Sequence, residues 1–490
     1  MTGLKPEAAR RSGRNERSHP MEIEFDKPLD EPGRFWLPND PSKAVPGRFK
    51  YDPTSGITLE LTAELIPGKY GGSPEEHTVI HGQLMPGTFV TIADAFVTNR
   101  KFGSGGRGPV TITANRALFG RHVESIEQMV IKSCSICLAG LNEWLGIKLL
   151  STEDKMDEGK WIGLDVHYRQ PPGIKVELPN AGSTLFIKVK VCRHFSRNGM
   201  ELGYQVYFDI VADDSIPLSQ IHDISWSLQC LMALMIGQVP ATHWMSVTPF
   251  LSDEESNDEN ECFFLYHQRA DVKIKSIYAP EMLLPYQIAK ADFPVIVNKW
   301  FARTDQTKLA TNIYFSSLLQ QSPTIEIRFL AAMQAIESYH RSLGEGNYME
   351  PKLYDAIWPK IAAQLPLEIK DDHRQSLKKR LEYGNEYSQR KRLLSMLDKM
   401  PEPLRKEITG GNLTRFVGKV VDTRNYFTHY DLASKEKSWA SKDVINAATR
   451  LRILFVASIF HDLGLADEAL IAAISRKQDF AWWLRQTLPL

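Results

Sequence analysis

The sequence predicts a multidomain α+β protein: a β-rich N-terminal domain with interspersed helices, followed by an all-α bundle. Three observations carry this. A chain of 490 residues exceeds one hydrophobic core, so roughly two to four domains are expected. Up to about residue 280, short runs alternate apolar and polar residues with period two, as half-buried strands do. Beyond that point the alternation stops and apolar residues recur at helical spacing. The boundaries read as a disordered basic tail over 1–20, a β-rich domain over 21–285, a connecting helical segment over 286–320 and a helical bundle over 321–490.

Composition narrows the class. The hydrophobic fraction of 43% and charged fraction of 24% are those of an ordinary globular protein. Five cysteines make no disulfide framework in a chain of this size, so a reducing, intracellular compartment is expected. The first twenty residues are polar and show no signal peptide. The longest membrane-span candidate, Ile224 to Gly237, is short and interrupted, so no membrane partner is expected. The net charge of zero hides an asymmetry. From residue 301 onward the chain holds 28 Lys and Arg against 22 Asp and Glu. A mildly basic C-terminal part suits a polyanion, although solvated helices carry such an excess too.

Taken in order, residues 1–20 hold Arg10, Arg11, Arg14 and Arg17 with almost no apolar residue. They read as a disordered, dispensable tail, with an RNA-touching arm as the alternative. From Phe35 the pattern is β: Trp36-Leu37-Pro38 leads into a Pro/Gly-punctuated loop, then Gly56 to Leu61 alternates. Further strands are expected at Thr78–Leu84, Phe89–Val97, Val110–Ala114, Lys175–Leu178, Thr184–Phe195, Gly203–Val211 and Phe263–Ile277. Helices are expected at Ser125–Leu145 and Leu218–Ile236, and Asp253–Glu261 reads as an acidic loop. The Gly-rich run 103–108 lacks the Lys-Ser/Thr of a phosphate loop and reads as a hairpin tip. Cys134 and Cys137 form a lone C-x-x-C without a second pair for zinc, so they read as buried thiols; no metal site is expected.

In the C-terminal part, Ser322-Pro323 is a helix-start signature. Phe329, Met333, Ile336, His340 and Leu343 then share one helical face, with Glu337 beside it. Leu377 to Met400 is basic, with Lys378, Lys379, Arg380, Arg390 and Arg392, and is expected to break at Tyr383–Tyr387. It reads either as a solvated face or as an RNA-backbone contact. Asn412 is placed to cap the next helix. Ser441 to Leu463 is strongly apolar and stopped by Gly464, and Ala466 to Arg485 is the last helix. His461-Asp462 lacks the further ligands of a metal phosphohydrolase and reads as a helix end.

The stretch Asp422 to Tyr430 carries the chemistry. The planar fork of Arg424 suits phosphate, and His429 is of the type that moves protons near neutral pH. Together they equip a site to cut RNA without a metal. Arg followed by His after four to six residues also occurs at Arg14/His19 and Arg116/His122, so spacing alone is weak. Only Arg424/His429 has a helical context. Arg424 continues the inward stripe of Leu413, Phe416, Val417 and Val420, where a cation is not expected without a purpose. On a straight helix the two side chains diverge by about 140°, so they meet only if the helix ends or if two chains share the site.

These residues resemble a family. The C-terminal part is similar to a HEPN domain, a small helical bundle with an Arg-x4-6-His motif and a polar residue such as Asn425 after the Arg. The branch it resembles is the ApeA-like proteins of bacterial anti-phage defence. Phe329 to Arg341, Arg380 to Leu393 and Asp422 to Tyr430 carry the match. In the N-terminal half it rests on Gly33–Pro38, Val45–Phe49, Gly56–Leu61 and Leu141–Leu145. The resemblance implies a metal-independent, cofactor-free endoribonuclease of the bacterial cytoplasm that aborts infection by cutting cellular RNA, commonly transfer RNA. It implies a catalytic pair Arg424 and His429, a polar helper Asn425 and a supporting acid Glu337. It also implies a site formed between two protomers, and an N-terminal domain that senses infection, through a phage-derived trigger, or restrains the nuclease. The competing reading is a catalytically inactive HEPN dimerisation or binding protein with a ligand-binding β-rich domain.

Overall fold

The computed structural model describes residues 23–65, 78–85, 87–100, 108–250, 261–267, 278–319, 324–344, 346–430 and 432–489. The chain forms two compact units, one from residues 1–126 with 257–268, the other from residues 127–256 with 269–490.

The first unit is a closed antiparallel barrel. Its strands are β1 (Leu29–Trp36), β2 (Val45–Asp52), β3 (Gly56–Leu61), β4 (Thr78–Leu84), β5 (Phe89–Arg100), β6 (Val110–Ala114) and β7 (Arg116–Phe119). Each of β4, β1, β2, β3, β6 and β5 pairs with the next, and β5 pairs back onto β4, so the ring has no open edge. Phe35, Phe49, Ile57, Leu59, Ile80, Ile92 and Ile112 are wholly buried. Gly33 lies opposite Gly47 across β1 and β2. A Cβ at Gly82 would come within 2.5 Å of the Phe35 ring, so that position admits only glycine. The Val45–Asp52 segment, expected as loop, is a paired strand. Pro46 falls at its start, where a missing N–H is tolerated.

β5 serves two neighbours in turn. Val90 to Ala93 pairs with β7, and Phe96 to Arg100 pairs with β6. Between them Asp94 adopts a left-handed backbone, φ 56°, and its carboxylate takes a bidentate pair from Arg116 at 2.5 and 2.8 Å.

The second unit opens with a sheet. Its strands are β8 (Val130–Leu138), β11 (Ile174–Leu178), β12 (Ser183–Ser196), β13 (Gly199–Pro217) and β14 (Thr242–Pro249), in the order β11-β12-β13-β8-β14. A separate hairpin joins β9 (Leu150–Asp157) to β10 (Lys160–Tyr168), and β15 (Cys262–Tyr266) pairs with β7 in the first unit's residue set. The Ser125–Leu145 segment, expected as one helix, is β8 followed by the short helix α1 (Leu141–Leu145). β8 is central in its sheet and apolar on both faces near its end, a pattern that mimics a buried helix. Cys134 and Cys137 therefore lie on a strand; both are buried, and burial pushes the Cys134 thiol up to about 12.

Helices α2 (Ile221–Ile236) and α4 (Phe293–Phe301) pack on this sheet, and α3 (Tyr286–Ala289) packs on α1. Trp144 of α1 anchors them: its ring lies 5.3 Å from Tyr286 and 5.4 Å from Phe293, and its Nε1 donates to Leu284 O at 3.0 Å. Burying such a ring contributes on the order of 2–3 kcal/mol.

The bundle follows as α5 (Asp305–Leu319), α6 (Ile325–Ser342), α7 (Pro351–Ala363), α8 (Asp371–Glu382), α9 (Gln389–Asp398) and α10 (Glu402–Thr409). It ends with α11 (Leu413–His429), α12 (Leu432–Lys437), α13 (Ser441–Leu463), α14 (Asp467–Arg476) and α15 (Gln478–Arg485). The tract expected to break at Tyr383–Tyr387 does so, between α8 and α9. The expected last helix is two, α14 and α15. α13 is the central element. It corrects the expectation that no apolar run is long enough to cross a membrane: its 23 residues are, but 72% of its most apolar window is buried inside the bundle. The Ser322-Pro323 signature, the acidic run, the Gly-rich run and Arg14/His19 lie outside the described residues. Thr324 caps α6 instead, accepting from Ile327 N.

Candidate active site

α11 is set at both ends by local chemistry. Asn412 Oδ1 accepts from Arg415 N at 3.1 Å, the expected cap. Phe416, Val417, Val420 and Thr423 are buried, and Thr423 Oγ1 accepts from Trp439 N at 3.1 Å. Phe427 meets Phe329 of α6 edge to face at 5.9 Å. The helix stops at His429 because Tyr430 turns left-handed, φ 53°, and its N–H returns to Tyr426 O. Glycine usually fills that position; a tyrosine there costs roughly 1–2 kcal/mol. Tyr430 is 68% exposed and its ring lies 5.7 Å from that of Tyr426.

Arg424 lies beside the buried stripe and is half-buried. Its Nη1 donates to Asn425 Oδ1 at 3.4 Å, and Thr428 Oγ1 donates to Arg424 O at 2.8 Å. No carboxylate pairs with Arg424 among the described residues, which leaves its fork for an anion. His429 is exposed and makes no hydrogen bond or ion pair through its side chain among the described residues. The helix runs unbroken from Leu413 to His429, so the two side chains leave its axis about 140° apart. One copy of α11 therefore presents a phosphate-binding group and a proton-transfer group on adjacent, not coincident, faces.

Glu337 sits elsewhere. Its carboxylate holds Arg341 at 3.2 and 3.4 Å, and Arg341 also binds Glu386 at 2.5 Å. Among the described residues nothing joins Glu337 to Arg424 or His429. Arg341 and Glu386, which the sequence reading passed over, complete this network; the Glu337/Arg341 spacing of four was its available signal.

The basic tract divides. Lys379, Arg380 and Arg390 are exposed and Lys378 half-buried, as a polyanion contact requires. The Arg390 guanidinium lies against Gly418 of α11, on the helix that carries Arg424. Arg392 is different: it is 3% exposed. It donates to Tyr387 O at 3.1 Å and to His340 Nδ1 at 3.2 Å, and pairs with Glu386 at 3.4 Å. It braces α9 against α6, and a phosphate-contacting role does not extend to it.

The remaining motifs serve the fold. Arg116 is held by Asp94. His122 stacks on His81 at 4.4 Å and donates to Gly82 O, and burial holds its pKa below the ordinary imidazole value. His461 contacts Asp462 at 3.4 Å, and Asp462 accepts from Tyr339 OH at 2.6 Å. Among the described residues no group of three or more His, Cys, Asp or Glu is gathered as metal ligands.

Comparison with known families gives two matches. Residues 32–300 match the ApeA N-terminal domain 1, and residues 330–469 match the Apea-like HEPN domain. No curated protein and no solved structure matches the chain. The first match covers the following sheet and all of the barrel but the first three residues of β1, and α11 with Arg424 and His429 lies within the second. With more than half its length under one model and most of its helical region under the other, the chain belongs to the ApeA-like family, with a C-terminal HEPN domain.

Proposed function

We propose that this ApeA-like protein is a metal-independent endoribonuclease of an abortive-infection system, cutting cellular RNA, transfer RNA above all, from the bacterial cytoplasm. The family supports a HEPN protein of anti-phage defence, and HEPN domains are generally ribonucleases. The observation that carries the finer reading is Arg424, without a carboxylate partner among the described residues, one turn and a half before an exposed His429 at the end of a capped helix.

The ribose 2'-OH attacks its own phosphate. His429 accepts the 2'-OH proton, the P–O5' bond breaks, and the protonated imidazole returns that proton to the leaving O5', giving a 2',3'-cyclic phosphate and a 5'-OH end. Arg424 stabilises the charge that builds on the phosphoryl oxygens, and Asn425 holds its guanidinium. Glu337 stays in its own network with Arg341 and Glu386, so this reading gives the chemical steps to Arg424, Asn425 and His429. Because the two side chains diverge on one helix, two copies of α11 face each other across a two-fold axis. Lys378, Lys379, Arg380 and Arg390 hold the RNA backbone. The N-terminal region senses a phage-derived trigger or restrains the nuclease.

The test is incubation with total RNA and mapping of the ends. His429→Ala and Arg424→Ala should each abolish cleavage while retaining the fold. Mixing wild-type with His429→Ala protomers should lower activity more than dilution does. Full activity of purified His429→Ala, or of a strict monomer, would overturn the assigned site, and absence of cleavage by the wild type would favour a binding protein.

A further inference from the structure

Arg450 and Arg452 stand two residues apart on α13 in different surroundings. Arg450 is buried and spends its guanidinium on Asn446 Oδ1 at 2.8 Å and on the carbonyls of Ile408, Leu484 and Gln486 at 3.0, 3.0 and 2.8 Å. It ties the ends of α10 and α15 to α13. Arg452 is half-buried and makes two hydrogen bonds: Nε donates to Tyr314 OH at 2.9 Å and Nη2 to Gly237 O at 3.1 Å. A guanidinium has five N–H donors, so three have no acceptor among the described residues; no carboxylate there is within ion-pair distance, Asp479 acts on it from farther off, and the Phe480 ring lies 5.1 Å from it.

Arg452 lines a cavity of about 220 Å³ between α5, α6 and α13. Arg328, on the first turn of α6, lines it too; its side chain is exposed and makes no ion pair or hydrogen bond among the described residues. The positive end of the α6 dipole adds to the field of these two cations. Ser317 and Thr449 donate their hydroxyl protons to Tyr314 O at 2.6 Å and Ile445 O at 3.0 Å. Their oxygens are thereby left as acceptors where they line the cavity. Leu318, Ile325 and Ala332 give it an apolar wall.

Two guanidiniums with N–H groups to spare, beside one partly open cavity, favour an anion with several acceptor oxygens, and the planar forks match phosphate. The volume is about that of seven waters at ~30 Å³ each, room for a phosphate on a pentose-sized body but not for an RNA strand. We infer that the cavity is a binding site for a compact phosphate monoester, its phosphoryl group between Arg452 and Arg328 and its hydroxyls on Ser317 and Thr449. Through Gly237, the left-handed residue that ends α2, Arg452 also joins the bundle to the helix covering the sheet. The ligand therefore sits where those two layers are fastened.

Isothermal titration of the full chain with inorganic phosphate and with ribose 5-phosphate, at fixed ionic strength, tests this. Potassium chloride and free ribose are the controls. Ribose 5-phosphate should bind saturably and more tightly than inorganic phosphate. Arg452→Ala removes fold contacts as well, so Arg328→Ala is the decisive variant. It should melt like the wild type and bind roughly tenfold or more weakly, the worth of one charge-assisted contact. Arg424→Ala should bind as the wild type does. The inference is overturned by the absence of saturable binding, by unchanged affinity in Arg328→Ala, or by loss of binding in Arg424→Ala, which would put the anion on α11 instead.

Discussion

Arg390 and Arg392 are two residues apart in one basic tract, yet their replacement should have opposite consequences. Arg392→Ala strands the Tyr387 carbonyl and removes a donor from the buried His340. Each lost partner costs about 1–3 kcal/mol when water cannot replace it. Glu386 keeps Arg341, so its charge is not orphaned and the 3–5 kcal/mol of a fully broken buried pair is not reached. The expected loss is about 2–4 kcal/mol. At roughly 2–4 °C per kcal/mol for a domain of this class, the melting temperature should fall by about 5–15 °C. Arg390→Ala, at an exposed position, should shift stability by no more than about 0.5 kcal/mol. It should instead weaken RNA binding at all sequences and flatten the salt dependence by about one unit of slope. Thermal unfolding and filter binding across a salt series measure both. If Arg392→Ala melts like the wild type and loses RNA as Arg390→Ala does, burial has been misjudged as the deciding property.

Cleavage should persist in EDTA, spare DNA and leave 2',3'-cyclic phosphate ends; EDTA-sensitive cutting or 3'-OH ends would defeat the 2'-OH mechanism. A fragment of residues 286–490 should melt well below the full chain, because Phe293 and Trp300 lose Trp144 and Ser227, with exposed apolar surface reported by dye binding; an equal melting temperature would show those contacts to be idle. Acid should destabilise the barrel through His122, whose pKa burial lowers from 6.5. As pH falls below 6.5 the unfolded chain takes up the proton first, so stability declines until the depressed native value is passed. His122→Phe, which keeps a ring beside His81, should flatten the acid limb of the melting curve between pH 5 and 7; an unchanged limb would assign it to other groups.

The parts of the fold legible from the sequence are those fixed by near neighbours. Asn412 caps α11, Gly464 ends α13, and the Tyr383–Tyr387 break separates α8 from α9, because caps and breaks act within a turn. β8 misled because its helix-like run of apolar residues is explained by β13 and β14 on either side of it, the first of them some 70 residues away along the chain. Arg392 misled for the same reason: nothing in its local sequence separates it from Arg390, and only His340, 52 residues away, makes it a core residue. The barrel gives the clearest case. Arg116 and His122 have the spacing of a nuclease pair. The ring closes only if β5 changes partner at Asp94, and that change places Arg116 on the Asp94 carboxylate, 22 residues back. His122 meanwhile turns to Gly82 O on β4. Spacing counts residues, whereas phosphate chemistry requires both side chains to reach one ligand. Arg424 is half-buried and His429 exposed on adjacent faces of one helix, and neither is held by a carboxylate among the described residues. About 140° separates them on one helix, so the proposed chemistry calls for a second copy of that helix to complete the site.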